Sequence, residues 1–443
     1  MSETLSSLYP EHFEVMATRH DRALNAADFD HLVIYGGSQH MIFLDDMPYP
    51  FKVNPHFKSW LPILENPNCF LIYTPGKKPR LLYYQPVDFW HKSAADPAGF
   101  WTDFFDITMI ASPEEAKKHV PSTERTAWIG ERDALIDALA VENLNPQVLV
   151  DSLHFDRAWK TAYEIECMRR ANALGSRAHR VAERAFRSGA SEYEIHLEYM
   201  RACDHNEHQL PYGNIIALNE NAAVLHYQHQ ERDTPAEVHS FLIDAGASFH
   251  GYASDITRTY SRSSDEFQEL IDAMDRVQLE LCAEVRPGLD YRAFHMLAHR
   301  KIGSILRDFD FITVDAEVAV ESSLTGTFFP HGLGHYIGLQ VHDVGGFMAS
   351  KQGDTIPRPE GQPTLRLTRE VQPTQVFTVE PGLYFIDSLL ADLRKSEHAN
   401  HVNWDRVDAF RKYGGVRIED DLVVTETGAE NLTRDQFAAL PAD

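Results

Sequence analysis

The stretch Ser240–Tyr260 constrains the fold and chemistry of this chain more than any other segment. Its first part, SFLID, is an apolar run that ends in the carboxylate of Asp244, and its last part is rich in β-branched and aromatic residues that suit a returning strand. A reversal around residues 248–251 would bring Asp244 close to Asp255. Two adjacent carboxylates repel unless a cation lies between them, so the pair indicates either a metal site or two solvated strand-end aspartates.

Length and charge restrict the class of protein. With 443 residues, 43% of them hydrophobic, the chain suits a globular protein of two domains. A net charge of −25 argues against nucleic-acid binding, which requires a basic surface. The amino-terminal segment is acidic and amphipathic, and no apolar run reaches about 18 residues, so we expect neither a signal peptide nor a membrane span. The scattered cysteines predict free thiols in a reducing cytoplasm: Cys69, Cys167, Cys203 and Cys282.

Residues 1–159 are predicted to form an α/β domain. A polar helix near residues 9–27 precedes short apolar runs that are separated by helix-like segments, which indicates a largely buried sheet. The loop Phe43–His56 contains several prolines and aromatic residues, and it is interpreted as either a packed surface loop or a lid. The predicted strands are His31–Tyr35, Cys69–Tyr73, Leu81–Tyr84, Ile107–Ile110 and Ala127–Gly130.

Residues 160–443 are predicted to form an α+β domain with a curved, mostly antiparallel sheet backed by helices. Two capping boxes, Thr161–Glu164 and Ser191–Glu194, each begin a helix, and the first helix ends at Ser188-Gly189. The order of helix, helix and strands then repeats in outline, without a clear residue-level repeat. The second half contains a helix that ends at Pro287-Gly288, a helix around residues 291–307, and strands over Val376–Phe385 and Val416–Thr425.

Three histidines follow within twelve positions among glycines. His331 and His335 stand four residues apart in PHGLGH, and His342 follows. On a helix the first two would share a face, but Gly332 and Gly334 disfavour a helix. The segment is therefore predicted to be a tight loop whose backbone approaches a ligand, although a lone histidine is more often a packed or surface residue.

Two further segments supply carboxylates. Glu380 ends an apolar strand and is followed by Pro-Gly, and Glu419 lies in GGVRIEDDLVV. The strand period of two places Arg417 and Glu419 on one face, either as a surface ion pair or as buried charges that need partners. The candidate ligands Asp244, Asp255, His335, Glu380 and Glu419 suit two divalent ions, best Mn²⁺, with Co²⁺ and Zn²⁺ as alternatives. Two such ions can share one water and lower its pKa, which is the chemistry of hydrolysis.

This series resembles the five-ligand pattern of the pita-bread metallopeptidases, which include methionine aminopeptidases, aminopeptidase P, prolidases and creatinases. The blocks that carry the resemblance are DAGASFHGYASDITRTY, HGLGHYIGLQVHD, TVEPGLYF and GGVRIEDDLVV. In the amino-terminal half, FLDDMPYPFKVNPHFKSWLP and YYQPVDFWHK are similar to the bacterial Xaa-Pro dipeptidases, or prolidases, some of which are also described as organophosphorus acid anhydrolases. The resemblance covers essentially the whole chain.

The resemblance implies a role for each ligand. Asp244 would bind one metal, Asp255 and Glu419 would bridge the pair, and His335 and Glu380 would hold the second metal. Glu380 would also accept and transfer a proton. His342 and His226 would steady the substrate and the tetrahedral intermediate, and Arg366 would bind the prolyl carboxylate. The remaining expected substrate contacts are Arg417, His331, Tyr212, Asp45, Tyr291, Leu365, Val341 and Leu225, and the alternative role of Arg417 is to orient a ligand.

The expected activity is hydrolysis of Xaa-Pro dipeptides by a cytoplasmic homodimer, with Asp45 meeting the substrate ammonium and residues 1–159 serving dimerisation and the lid. Organophosphorus triesters, cleaved at P–F or P–O bonds, are an expected side substrate. Two alternatives remain open at this point: an aminopeptidase P type of cleavage of longer peptides, and a non-catalytic pita-bread module that binds peptides.

Overall fold

The computed structural model describes residues 2–90, 92–121 and 123–441. The chain divides into two compact units: Met1–Cys167 with Met348–Asp354, and Met168–Phe347 with Thr355–Asp443. The boundary predicted between residues 159 and 160 lies near this division, and the dimerisation and lid roles of residues 1–159 stay predictions.

The first unit is built around a mixed five-stranded sheet, as predicted for an α/β domain. Its strand order is β4-β3-β2-β1-β5, in which β1 pairs with β5, and β3 with β4, in parallel, while the other pairs are antiparallel. The elements are α1 (Ser2–Ala26), β1 (His31–Tyr35), α2 (Pro55–Lys58), β2 (Phe70–Tyr73), β3 (Arg80–Tyr84), β4 (Asp106–Ile110), β5 (Thr126–Ile129), α3 (Ala134–Ala138) and α4 (Gln147–Asp156).

The apolar runs of β1, β2 and β5 form strands because their side chains are buried on both faces, whereas most of β4 is exposed or half-buried. Every residue of β2 and β5 is buried, and the stacked rings of Tyr35 and Phe70 lie in the core of the sheet. The first helix starts at Ser2, earlier than the predicted residue 9. Leu5 and Tyr9 are buried, so apolar contacts stabilise its first turns.

The long helix α5 (Ala162–Arg187) contains the boundary between the two units. Both predicted capping boxes are present, at Thr161–Glu164 before α5 and at Ser191–Glu194 before α6. The other helices and strands are α6 (Glu192–Cys203), β6 (Ile215–Leu218), β7 (Ser240–Asp244), β8 (Ser248–Phe249), β9 (Tyr252–Ala253), β10 (Thr257–Ser261), α7 (Glu266–Glu284), α8 (Tyr291–Asp308), α9 (Ala316–Glu321), α10 (Leu324–Phe328), β11 (Val376–Val379), β12 (Gly382–Tyr384), α11 (Asp387–Leu393), α12 (Trp404–Phe410), β13 (Gly415–Arg417), β14 (Asp420–Val424), β15 (Ala429–Asn431) and α13 (Leu432–Ala439).

The described strands of the second unit pair antiparallel throughout, as predicted. The sheets are β10-β7-β6, β11-β14-β15, β12-β13 and β8-β9. Helices α5 and α6 pack their apolar faces on β6 and β7, with Phe186, Tyr199 and Phe241 among the buried residues. Across the described part of the chain, each helix is too short or too polar to cross a membrane.

Two predicted strands are interrupted, and both interruptions lie at candidate ligands. The strand over 376–385 breaks at Glu380, because Pro381 has no N–H to continue the ladder. The strand over 416–425 breaks at Ile418-Glu419, where the Glu419 N–H bonds to the Thr257 carbonyl at 3.1 Å instead of to the neighbouring strand. The prediction of one continuous strand carrying Arg417 and Glu419 was therefore wrong.

Candidate metal centre and active site

The predicted hairpin positions both aspartates. It turns at His250-Gly251, where both residues have positive φ, 49° and 86°. Asp244 pairs with Thr257 across β7 and β10. Asp255 lies two residues before Thr257 on the returning segment, so the reversal brings it close to Asp244. The Tyr212 hydroxyl lies 2.8 Å from Asp244 Oδ1 and 2.5 Å from Asp255 Oδ1. One hydroxyl proton cannot serve two carboxylates, so this site needs a further proton or a cation.

Asp255, His335 and Glu419 each offer a ligand atom, and these atoms lie within 4.8 Å of one another. All three residues are buried. The Tyr336 carbonyl can only accept a hydrogen bond, and it lies 3.0 Å from His335 Nδ1, so Nδ1 carries the proton. In the neutral ring this leaves the lone pair of Nε2 for a metal, and Nε2 lies 3.5 Å from Asp255 Oδ2.

Glu380 approaches the same nitrogen from the other side, with its Oε1 atom 3.7 Å from His335 Nε2. Its backbone N–H donates to the Leu333 carbonyl at 2.8 Å, which ties the strand end to the histidine loop. Gly334 has to be glycine for packing, because a Cβ there would collide with the Thr378 carbonyl. The loop predicted for HGLGH is present, and it brings His335 beside Glu380.

Arg417 balances part of this negative charge. Its Nη2 donates to Asp244 Oδ2 at 2.6 Å, and its Nη1 donates to the Tyr384 hydroxyl at 2.8 Å. Its Nε donates to Thr257 Oγ1, which in turn donates to Glu419 Oε2 at 2.7 Å. Only 4% of Arg417 is exposed, so the guanidinium is a buried charge with partners rather than a surface ion pair. In this arrangement Arg417 orients two candidate ligands.

Three of the four candidate carboxylates have raised pKa values, whereas for Asp255 burial is outweighed by the hydrogen bond and charge of His335, which lower its pKa. Burial and then the nearby Asp255 and Glu380 charges raise the pKa of Glu419 well above its usual range. Burial also raises the pKa of Glu380 to about 7 and that of Asp244 above its usual value, although Arg417 opposes both shifts. For His335, burial is outweighed by the Asp255 hydrogen bond and the Glu380 charge, which raise its pKa to about 9.

These observations fit two divalent cations. Four carboxylates and one imidazole with its Nε2 directed at the cluster supply hard and borderline ligands. The raised pKa values of Glu419 and His335 reflect the excess of negative charge around them. Divalent cations bound at this position would neutralise the carboxylates. The donor set contains no thiolate, the ligand that would favour a structural zinc site.

Of the predicted substrate-binding residues, some lie close to the candidate ligands and others do not. The His342 ring lies 4.4 Å from the His335 ring, and partial desolvation followed by the charges of His335 and Arg366 lowers the pKa of His342 to about 4. His226 also acts on His342 through its charge. Both Arg366 and His226 are exposed, and Leu225 and Val341 are half-buried.

His331 is held in one tautomer. The Gly332 carbonyl accepts from Nδ1 at 2.9 Å, so Nε2 accepts from the Tyr384 hydroxyl at 2.8 Å. Tyr291 and Leu365 are wholly buried, and the Tyr291 hydroxyl donates to the Thr378 carbonyl. Both residues therefore belong to the packed interior next to the site, and their contact with a substrate stays a prediction.

Asp45 lies in the first unit, where it is exposed. Its carboxylate accepts from the backbone N–H groups of Asp46 and Met47 at 2.7 and 3.3 Å. The side chain therefore orders its own turn, and the predicted contact with a substrate ammonium stays a prediction.

Sequence reasoning missed several residues that support the site. Tyr384 links Arg417 to His331, and Thr257 links Arg417 to Glu419. Both lie inside segments that the sequence analysis recognised: Thr257 is two residues after Asp255, and Tyr384 is four residues after Glu380. The alternation of side chains along a strand could therefore have identified them. Asp421 accepts from the Asp255 N–H at 3.1 Å, and no local pattern predicts that contact across the fold.

Comparison with known proteins agrees with this geometry. Residues 7–155 match the amino-terminal domain of Xaa-Pro dipeptidase, and residues 166–426 match metallopeptidase family M24. A protein named Xaa-Pro dipeptidase from Xanthomonas campestris is 52% identical over 438 residues, which cover 98% of this chain and 99% of the relative. One of the same name from Pseudoalteromonas translucida is 47% identical and covers 98% and 99%.

Solved structures agree on the fold, with a pita-bread catalytic domain as predicted. Aminopeptidase P from Escherichia coli with the inhibitor Pro-Leu has a TM-score of 0.71 at 22% identity, over 96% of this chain and 98% of that one. Pseudomonas aeruginosa aminopeptidase PepP has a TM-score of 0.73 at 22% identity, over the same shares. The family-model match over residues 166–426 and the near full-length relatives lead to one conclusion: this chain belongs to metallopeptidase family M24.

Proposed function

We propose that this protein hydrolyses Xaa-Pro dipeptides with two divalent metal ions, for which Mn²⁺ suits the oxygen-rich donor set best. The observation that supports the proposal is the buried group of Asp255, His335 and Glu419, which Glu380 approaches through His335 Nε2 and Asp244 through their shared contact with Tyr212. The dipeptide substrate is taken from the relatives, whose name is Xaa-Pro dipeptidase and whose likeness extends over nearly the full length of both chains.

Asp244 would hold one ion, Asp255 and Glu419 would lie between the two, and His335 and Glu380 would hold the other. When bound, divalent ions supply Lewis-acid activation of water and of the scissile carbonyl. Arg417 keeps a positive charge against Asp244 Oδ2, which favours the ionised, ligating form of that carboxylate. The Tyr212 hydroxyl orients both aspartates.

Glu380 is placed to move a proton. Its Oε1 atom lies 3.7 Å from His335 Nε2, so its carboxylate is at the cluster, where it would accept a proton from water and return it to the leaving amine. His342 and His226 are exposed at the edge of the cluster, where they can donate to the carbonyl oxygen on which charge develops. Arg366 offers an exposed guanidinium that suits bidentate binding of the prolyl carboxylate.

The test is a panel of peptides with protein that has been stripped of metal and reloaded with Mn²⁺, Co²⁺ or Zn²⁺. We expect rapid cleavage of Ala-Pro and slow cleavage of Ala-Pro-Ala. Asp244→Asn is expected to lower kcat/KM by at least about 100-fold, since it removes a ligand. Asp392→Asn, at an exposed position in α11, is the matched control. Faster cleavage of the tripeptide would refute the dipeptidase assignment in favour of an aminopeptidase P type of activity.

Two finer features belong to the same proposal. The activated water that attacks a carbonyl could also attack the tetrahedral phosphorus of organophosphorus triesters, which fluoride or phenolate release would measure. A cytoplasmic homodimer is also proposed, and it is supported by exposed apolar side chains of the first unit at Phe43, Leu44, Phe89 and Trp90. Light scattering during size-exclusion chromatography tests the dimer, and a monomer across the micromolar range would contradict it.

A further inference from the structure

Two buried histidines of α8 and the half-buried Gln362 form a side-chain cluster next to the histidine loop. Gln362 Oε1 lies 2.8 Å from His295 Nε2 and 3.1 Å from His299 Nε2. The two histidines are one helical turn apart, their rings are 4.7 Å apart, and both are almost wholly buried. A single amide oxygen thus accepts a hydrogen bond from each of the two imidazoles.

The hydrogen bonds determine which atom donates. The Leu333 backbone N–H can only donate, and it bonds to His295 Nδ1 at 3.3 Å. The proton of His295 is therefore on Nε2, which must face an acceptor, and this requires the oxygen rather than the nitrogen of the Gln362 amide. His299 follows the same pattern, because its Nε2 donates to that oxygen and its Nδ1 accepts from Thr325 Oγ1 at 2.9 Å.

One end of this chain of contacts leads to the candidate catalytic carboxylate. Leu333 lies between His331 and His335, and its carbonyl accepts the Glu380 N–H at 2.8 Å. The same residue that bonds to His295 therefore holds the backbone of Glu380.

The other end leads to Arg366. The Leu365 N–H donates to the Gln362 carbonyl at 3.4 Å, and Arg358 Nε donates to the Leu365 carbonyl at 2.6 Å, which closes a short turn just before Arg366. Thr364 Oγ1 donates to the Pro330 carbonyl at 2.9 Å, so this turn is also bonded to the start of the histidine loop.

The two loops are in direct backbone contact. A Cβ at Gly332 would lie 3.0 Å from Leu365 Cα and 3.2 Å from the Thr364 carbonyl oxygen. A shift of the Arg366 turn therefore moves it relative to the histidine loop, and Gln362 is the side chain that bonds this turn to α8.

We propose that Gln362 is a positioning residue that sets the distance between Arg366 and the Glu380 end of the site, and thereby determines the preference for substrates with a free prolyl carboxylate. This inference rests on the proposed function, in which Arg366 binds that carboxylate. Loss of the amide oxygen leaves two buried N–H groups without an acceptor, so the turn has to move or admit water.

The test compares Gln362→Met, which keeps the side-chain length and removes the acceptor, with wild type on Ala-Pro and on its carboxamide, Ala-prolinamide. We expect KM for Ala-Pro to rise about ten-fold with kcat within about two-fold, since a charge-assisted contact is weakened. The kinetic constants for the carboxamide should stay unchanged. Gln268→Met, at a solvent-facing position of α7, is the matched control.

An equal loss on both substrates, or an unchanged KM for Ala-Pro, would overturn the inference. If Gln362→Met does not fold, Thr364→Val decides the matter in the same assay, because Thr364 is exposed and the change removes only its bond to Pro330. Calorimetry with L-proline and L-prolinamide gives a separate reading. If wild type binds L-proline more tightly than L-prolinamide but cleaves no dipeptide, only the proposed function is refuted. If wild type binds the two ligands equally well, the inference is refuted.

Discussion

The substitution Asp420→Asn tests how the strand beside Glu419 is held. Asp420 is fully buried and accepts from two guanidiniums and two amides. The donors lie at 2.7 Å for Arg258 Nη2, 2.8 Å for Arg434 Nε, 2.8 Å for Gln278 Nε2 and 2.9 Å for Asn431 Nδ2. The change keeps the size of the side chain and removes the charge.

The structure gives the magnitude. Burial raises the pKa of Asp420, but Arg258 and Arg434 outweigh it and lower the pKa from 3.8 to about 2. A shift of this size corresponds to about 2 kcal/mol of stability. The change also takes the carboxylate away from the Arg258 guanidinium, whereas Arg434 keeps Asp275 at 2.6 Å, so the free energy of unfolding should fall by about 3–5 kcal/mol at pH 7.

The pH dependence follows from the sign of the shift. The folded-state pKa of Asp420 is below its unfolded value, so its contribution is complete above about pH 4 and is lost as the pH falls through about 2. The difference between wild type and Asp420→Asn should therefore be constant from pH 7 to 5 and shrink below pH 4.

Hydrogen exchange of the β14 amides in metal-free protein measures the opening free energy of this region at pH 7. Thermal unfolding at pH 6 and pH 3 measures the pH dependence, with Asp272→Asn on the exposed face of α7 as the control. A change of less than about 1 kcal/mol at pH 7 would refute the reasoning, because it would mean that the four donors hold the strand equally well without the charge.

Metal binding at pH 7 should release protons, because His335 has a pKa raised to about 9 and Glu419 one raised well above its usual range, and both must lose protons to bind metal. Calorimetry in buffers of different ionisation enthalpy checks this, and affinity should weaken as the pH falls from about 9; release of no protons would contradict the assignment. Tyr212→Phe removes the hydroxyl that contacts Asp244 and Asp255, so metal affinity should fall about 10-fold or more, as measured by metal content after dialysis. Glu380→Gln should lower kcat by at least about 100-fold in metal-loaded protein, and turnover near that of wild type would exclude Glu380 as the proton carrier.

Local chemistry explains how much the sequence predicts here. The capping boxes at Thr161 and Ser191 and the glycines of HGLGH act within a few residues, so their outcomes follow from neighbouring side chains. The break at Glu380 is likewise local, since it follows from Pro381. The break at Glu419 is different, because its backbone N–H bonds to the Thr257 carbonyl in another segment.

The sequence by itself determined the family, the order of elements and the identity of the candidate ligands, because ligand chemistry depends on residue type and each ligand lies in a segment with a local signature. Only the tertiary structure decided which of these groups form ion pairs and hydrogen bonds with one another. Arg417 is bonded to Asp244, and Asp421 to the backbone of Asp255, across separations of more than 160 residues. Such contacts depend on how sheets and loops meet in space, and no spacing along the chain predicts them.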